Sequence, residues 1–208
     1  MSTDFDPITL SSICSLYSAA QTLTGCFRDE LTRHFAAEDL IENPDLRHLV
    51  WRDGERTNIL IESVWRWNPA TTGKRPAVLI KRNAYTNHRV GIGDKRQGPA
   101  SDKFGFTHFE TFWIGSHSLF CIGGTGSQAD LLATEVSRQI HEFGQQISKE
   151  LGLYRFAVLE VGAVAKLEES TENFVVPVNV GYAFSERWSL RQQAPRLKRV
   201  SLNVLLNP

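Results

Sequence analysis

The chain has 208 residues, 41% hydrophobic and 22% charged, with 23 bases balanced by 23 acids. That composition is ordinary for a folded protein with a core, which excludes whole-chain disorder, and the length fits one domain or at most two. Zero net charge argues against a dedicated nucleic-acid binder, and no apolar run approaches the roughly 18 residues of a membrane span.

The first seven residues carry Asp4 and Asp6 and no base, unlike a secretory or transit signal. Cys14, Cys26 and Cys121 are odd in number and lack a CxxC spacing. They point away from a disulfide framework or structural zinc and toward a reducing compartment. Charge is unevenly placed. Residues 1–62 hold eleven acids against five bases, a net of −6, and residues 74–103 hold eight bases against two acids, a net of +6. Residues 186–199 add five bases against Glu186. Such a distribution suits opposite surfaces meeting between copies as well as separately solvated faces.

In chain order, Ile13, Leu16, Tyr17, Ala20, Leu23, Phe27, Leu31 and Phe35 recur at helical spacing, with Ser11 or Ser12 as cap and Gly25 as an interruption. Asn43-Pro44-Asp45 is a turn signal. Residues 58–67 (NILIESVWRW) and 75–82 (RPAVLIKR) read as strands, the first placing Trp65 and Trp67 on one face. Residues 85–105 form a long polar, Gly-rich loop. Residues 106–114 and 118–122 read as strands joined through Gly115-Ser116, a pair that suits a two-residue hairpin turn. A Gly-rich turn at 123–127 opens a helix through Leu131, Leu132, Val136, Ile140, Phe143, Ile147 and Leu151, with Gly152 as its stop. Strands follow at 154–165 and 174–184, and residues 196–206 alternate as a last strand or arm.

The motifs offer no convincing active site. Gly124, Gly126 and Ala129 match G-x-G-x-x-A after a strand and before a helix. The expected acid about 20 residues on falls inside the helix, however, and a turn capping the helix with Ser127 explains the same residues. Gly115, Ser116, His117 and Ser118 combine hydroxyls and an imidazole on a turn, without the G-x-S-x-G of a nucleophile elbow. The six histidines include no HxH or HExxH pair, so metal binding lacks support. Glu110 and Glu160 read as surface or interface carboxylates. Catalytic, cofactor and metal residues are therefore all expected to be none.

Together, the RPAVLIKR stretch at 75–82, the Gly-rich loop, the strands at 106–113 (FTHFETFW) and 118–122 (SLFCI) and the helix beginning ADLLATEV at 129–136 resemble the tail terminator family of tailed-bacteriophage neck proteins. The resemblance covers residues 59–184. It implies an α+β domain: a mostly antiparallel sheet with helices packed on one face, plus an N-terminal helical segment and a C-terminal arm. The expected division is 1–50, 51–190 and 191–208. It further implies a structural virion protein, made in the bacterial host cytoplasm. The chain would form a homo-oligomeric ring, a hexamer in that family, that caps the tail tube and joins tail to head. Its partners would be the tail tube protein and a connector or other neck protein, with no membrane. If double-stranded DNA passes through the lumen, Arg89, Lys95, Arg96 and Lys103 are the residues to meet its phosphates. Trp65, Trp67, Arg187 and Arg191 are the interface candidates, because interfaces favour Trp and Arg. The alternatives are another connector or stopper of the neck, and a cytosolic nucleotide-binding protein using the turn at 123–127.

Overall fold

The computed structural model describes residues 15–54, 57–66, 76–88, 100–101, 106–167 and 173–191. Two strands dominate it. β5 (Phe106–Gly123) and β8 (Phe174–Arg191) pair antiparallel from Phe106↔Arg191 to Gly123↔Phe174 without a register shift. On the far side of β5 lie β2 (Ala77–Arg82), β3 (Thr86–Asn87) and β4 (Ala100–Ser101), all antiparallel to it. β1 (Leu60–Ser63) adds to β2 in parallel. On the far side of β8 lie β6 (Arg155–Val161) and β7 (Ala165–Lys166). The order across the sheet is β1-β2-β5-β8-β6. Helices α1 (Ala19–His34) and α2 (Gly126–Leu151) cover one face, so the fold is α+β with a mixed, mostly antiparallel sheet.

The helices form where the apolar spacing places them. Ala19, Leu23, Phe27 and Leu31 make one buried stripe of α1. Leu132, Val136, Ile140, Ile147 and Leu151 make that of α2. Both stripes meet Val78, Ile80, Leu119, Cys121, Val176, Val178 and Val180 in one continuous core. Burying each large side chain there stabilises the fold by about 1.5–3 kcal/mol. Asn43 Oδ1 accepts from the Asp45 N–H, which makes the expected turn. Gly152 ends α2 in the left-handed conformation at φ 64°, as a helix-stopping glycine does. A smaller apolar cluster, Ala77, Leu79 and Ile122, sits on the opposite face of the sheet.

Several sequence expectations are corrected. There is no hairpin at Gly115-Ser116, because β5 runs straight through it. A two-residue turn opening with glycine needs positive φ, and among the described residues only Gly54 and Gly152 have it. Gly115 is there for room: a Cβ would lie 2.4 Å from the Tyr85 ring and 2.8 Å from the Tyr182 ring. Gly25 does not interrupt α1, and the helix runs intact to His34. Residues 58–67 are not one strand, since β1 gives way to a 3₁₀ turn at Val64–Arg66. Trp65 therefore sits on a turn rather than on a strand face. The helix α2 is capped by Thr125, whose side chain accepts from the Gln128 N–H, and not by Ser127. The polar loop expected over 85–105 contributes β3 and β4 to the sheet, and β8 continues past Phe184 to Arg191. The proposed caps Ser11 and Ser12 and the arm at 196–206 lie outside the described residues.

Two glycines in regular elements should respond oppositely to alanine. Gly25 has open space around a virtual Cβ, so Gly25→Ala should raise stability by about 0.5–1 kcal/mol through helix propensity. Gly115→Ala forces two aromatic rings apart and should cost about 1–3 kcal/mol. Urea unfolding followed by far-UV circular dichroism reads both.

Candidate functional site

The alternation of β5 splits the Gly-Ser-His-Ser motif between two environments. His117 turns into the core beneath α1 and is fully buried. Its Nε2 lies 3.1 Å from Thr24 Oγ1 and its Nδ1 3.0 Å from the Tyr182 hydroxyl. Tyr182 in turn donates to the Tyr85 hydroxyl at 3.3 Å, and Phe27 meets the imidazole edge-on. Burial pushes the imidazole down to about 4, and the charge of Arg82 pushes the same way. Ser116 and Ser118 face the other side of the sheet. There Asn83 Nδ2 donates to both hydroxyls at 3.1 and 2.9 Å, and Ser118 donates to Asn179 Oδ1 at 2.7 Å. Asn179 Nδ2 makes a long contact with Glu160 at 3.4 Å. The hydroxyls and the imidazole thus cannot act together on one substrate.

A second buried polar pair ties the two helices. His34 Nε2 lies 2.9 Å from Glu135 Oε1, and the same oxygen accepts from the Glu42 N–H at 2.9 Å. Both side chains are more than nine-tenths buried. A groove of about 290 Å³ opens beside them, walled by Leu40 and Phe143 and rimmed by Arg33, Glu42, Arg138 and Glu142. Glu42 is neutralised by Arg138 and Glu30 by Arg33. No sequence signal marked this pair, because 101 residues separate its members.

At the Gly-rich turn, the Gly124 N–H donates to Gln128 Oε1 and the Gln128 N–H to Thr125 Oγ1. Two of the donors that would cradle a phosphate are thereby satisfied within the turn. A Cβ on Gly123 would lie 2.8 Å from the Ala129 nitrogen, so glycine there lets helix and strand approach. β5 and β6 run parallel to one another, but the antiparallel β8 lies between them, unlike a dinucleotide-binding βαβ unit.

The interface candidates are dispersed. Trp65 is 86% exposed directly after β1, one edge of the sheet. Arg187 pairs across the strands with Glu110 at 2.9 Å. Arg191 ends β8, opposite Phe106. Trp67, Arg89, Lys95, Arg96 and Lys103 lie outside the described residues. The feature missed in the sequence is the opposite edge of the sheet, 154–164. Tyr154, Leu159, Val161 and Val164 are exposed there, between 43 and 64%. A bulge between Val158 and Glu160 sets Leu159 against Gly181 on the face opposite the helices, and Tyr154 packs its ring on Phe112. Among the described residues, no group of three or more His, Cys, Asp or Glu is placed to hold a metal, and no helix is long and apolar enough to cross a membrane. Cys26 and Cys121 are free thiols, and burial raises both above the usual thiol range.

No protein-family model matches the sequence, and no curated protein is significantly similar to it.

The buried imidazole makes a pH prediction. The unfolded chain takes up a proton near pH 6.5, whereas folded His117 resists protonation down to about pH 4. The unfolded state therefore binds more protons in that window, and stability falls as pH drops through it, by about 3 kcal/mol from this group. His117→Gln should remove that part of the slope. Urea midpoints of wild type and variant at pH 7 and pH 4.5 isolate the difference.

Proposed function

We propose that this chain is a structural protein of a tailed-phage neck: a ring-forming tail terminator that caps the tail tube and joins tail to head. The observation that carries the reading is the edge of the sheet at 154–164. Among the described residues β6 pairs on one side only, with β8, and the edge carries four exposed large apolar side chains. A lone monomer with such an edge is prone to pair with another chain, and proteins that stay monomeric blunt their edges. A chain whose work is assembly uses that edge. The zero net charge places no long-range repulsion between copies. The α+β fold and the resemblance of residues 59–184 to tail terminators agree with this reading.

In this role the chemistry is recognition by surface. The acidic first 62 residues and the basic 74–103 segment give complementary charge for neighbours, and Arg89, Lys95, Arg96 and Lys103 are the groups offered to DNA in the lumen.

The test is the mass of the purified protein in solution, with negative-stain images alone and with tail tubes. The expected outcome is a ring, or density confined to one end of the tube. A monomer that ignores tubes overturns the reading. ATP and NAD at millimolar concentration should leave the melting temperature unmoved, since a ligand of the native state would raise it.

A further inference from the structure

Two of the exposed apolar features among the described residues lie at opposite edges of the sheet. Trp65 follows β1, and the 154–164 strip lies on and around β6. The order from β1 to β6 holds five strands and so four spacings, which at about 4.8 Å each is roughly 20 Å. A two-fold dimer joins a patch to its own copy. A two-fold dimer built from one edge alone leaves the other in water. A head-to-tail contact covers both with a single kind of interface, because each copy gives one edge and receives the other. Such a contact closes into a ring when its rotation allows.

Charge agrees with this pairing. Arg66, next to Trp65, is 72% exposed and reaches Glu62 only at 3.9 Å. Glu160, in the apolar strip, is exposed and has the long Asn179 contact. The chemistry of the anchor agrees as well. A tryptophan carries a large apolar area with little rotamer freedom, and it suits a site between an aromatic ring and a branched aliphatic group. Tyr154 and Leu159, both exposed, supply those two on the face opposite the helices.

We infer that Trp65 of one copy seats on the β6 edge of the next copy, between Tyr154 and Leu159, with Arg66 facing Glu160. The occupant of the apolar edge is a second copy of this chain. This rests on the reading of the protein as a ring former and names the two surfaces that close the ring.

Cysteine cross-linking in the full-length chain tests it, in a Cys14→Ser, Cys26→Ser background that keeps the buried Cys121. Trp65→Cys and Leu159→Cys are made separately and mixed under mild oxidation, with Val161→Cys as a second probe of the edge. The expected result is a disulfide-linked dimer from the mixture and none from either variant alone. The chain carrying both substitutions should give a ladder that stops at the ring number. Leu159→Cys linking to itself would mean edge-to-edge pairing, which overturns this inference and leaves self-assembly standing. Oligomers in solution without any Trp65–edge cross-link from either probe would overturn it in the same way. A wild-type chain that stays monomeric, both alone and with tail tubes, would overturn the ring reading itself. As a second readout, Leu159→Arg or Trp65→Glu should each shift the mass to that of the monomer, and both sites are exposed enough to leave the fold intact.

Discussion

The antiparallel pairing of β5 with β8, 18 residue pairs long, is the constraint from which the other elements take their places. It fixes which face of each strand meets the helices, because side chains alternate with a period of two. Leu119 and Cys121 on β5 and Val176, Val178 and Val180 on β8 are set in register on the inner face, and α2 is laid across them. β2 to β4 then extend one side of the ribbon and β6 and β7 the other. A slip of one residue would turn every buried valine out to water. The pairing is held against that slip by the fit of the Tyr85 and Tyr182 rings over Gly115, at the centre of the strand.

Two polar groups are kept inside this apolar frame at a cost in solvation. The His117 imidazole, kept neutral by its burial, hydrogen-bonds Thr24 and Tyr182 and so joins α1 to the two central strands. Glu135 joins α2 to the end of α1 and to the backbone of Glu42. A buried donor or acceptor without its partner costs about 1–3 kcal/mol, so each cluster disfavours alternative packings of the helices. Hydrogen bonds of this kind specify one arrangement where an all-apolar contact tolerates sliding.

The outer limits of the sheet are built differently from its centre. The helices cover the inner face, while the edge at 154–164 keeps exposed apolar groups on a strand that, among the described residues, pairs on one side only. Arg155 and Glu160 place charge within the strip, and the bulge between Val158 and Glu160 turns Leu159 outward. An edge so arranged suits a specific neighbour of matching shape and charge.

The sequence by itself determined the helices, the fold class and most strands. The stripe Leu23, Phe27, Leu31 and the run from Leu132 to Leu151 announce which face is buried, because helical spacing is local information. The strand at 75–82 and the turn at Asn43 are equally local. Tertiary structure decided the rest. Gly115-Ser116 has the composition of a turn, and only the uninterrupted partner strand β8, some 60–70 residues away, shows that it is extended. Residues 58–67 have strand composition throughout, yet β2 offers pairing only to Leu60–Ser63, and the chain then turns and leaves Trp65 in water. The exposure of Tyr154 and Leu159, the burial of His117 and the meeting of His34 with Glu135 likewise depend on which distant element lies opposite. Periodicity reports the preference of a segment for burial, whereas the sheet order determines which segments find a partner to bury them.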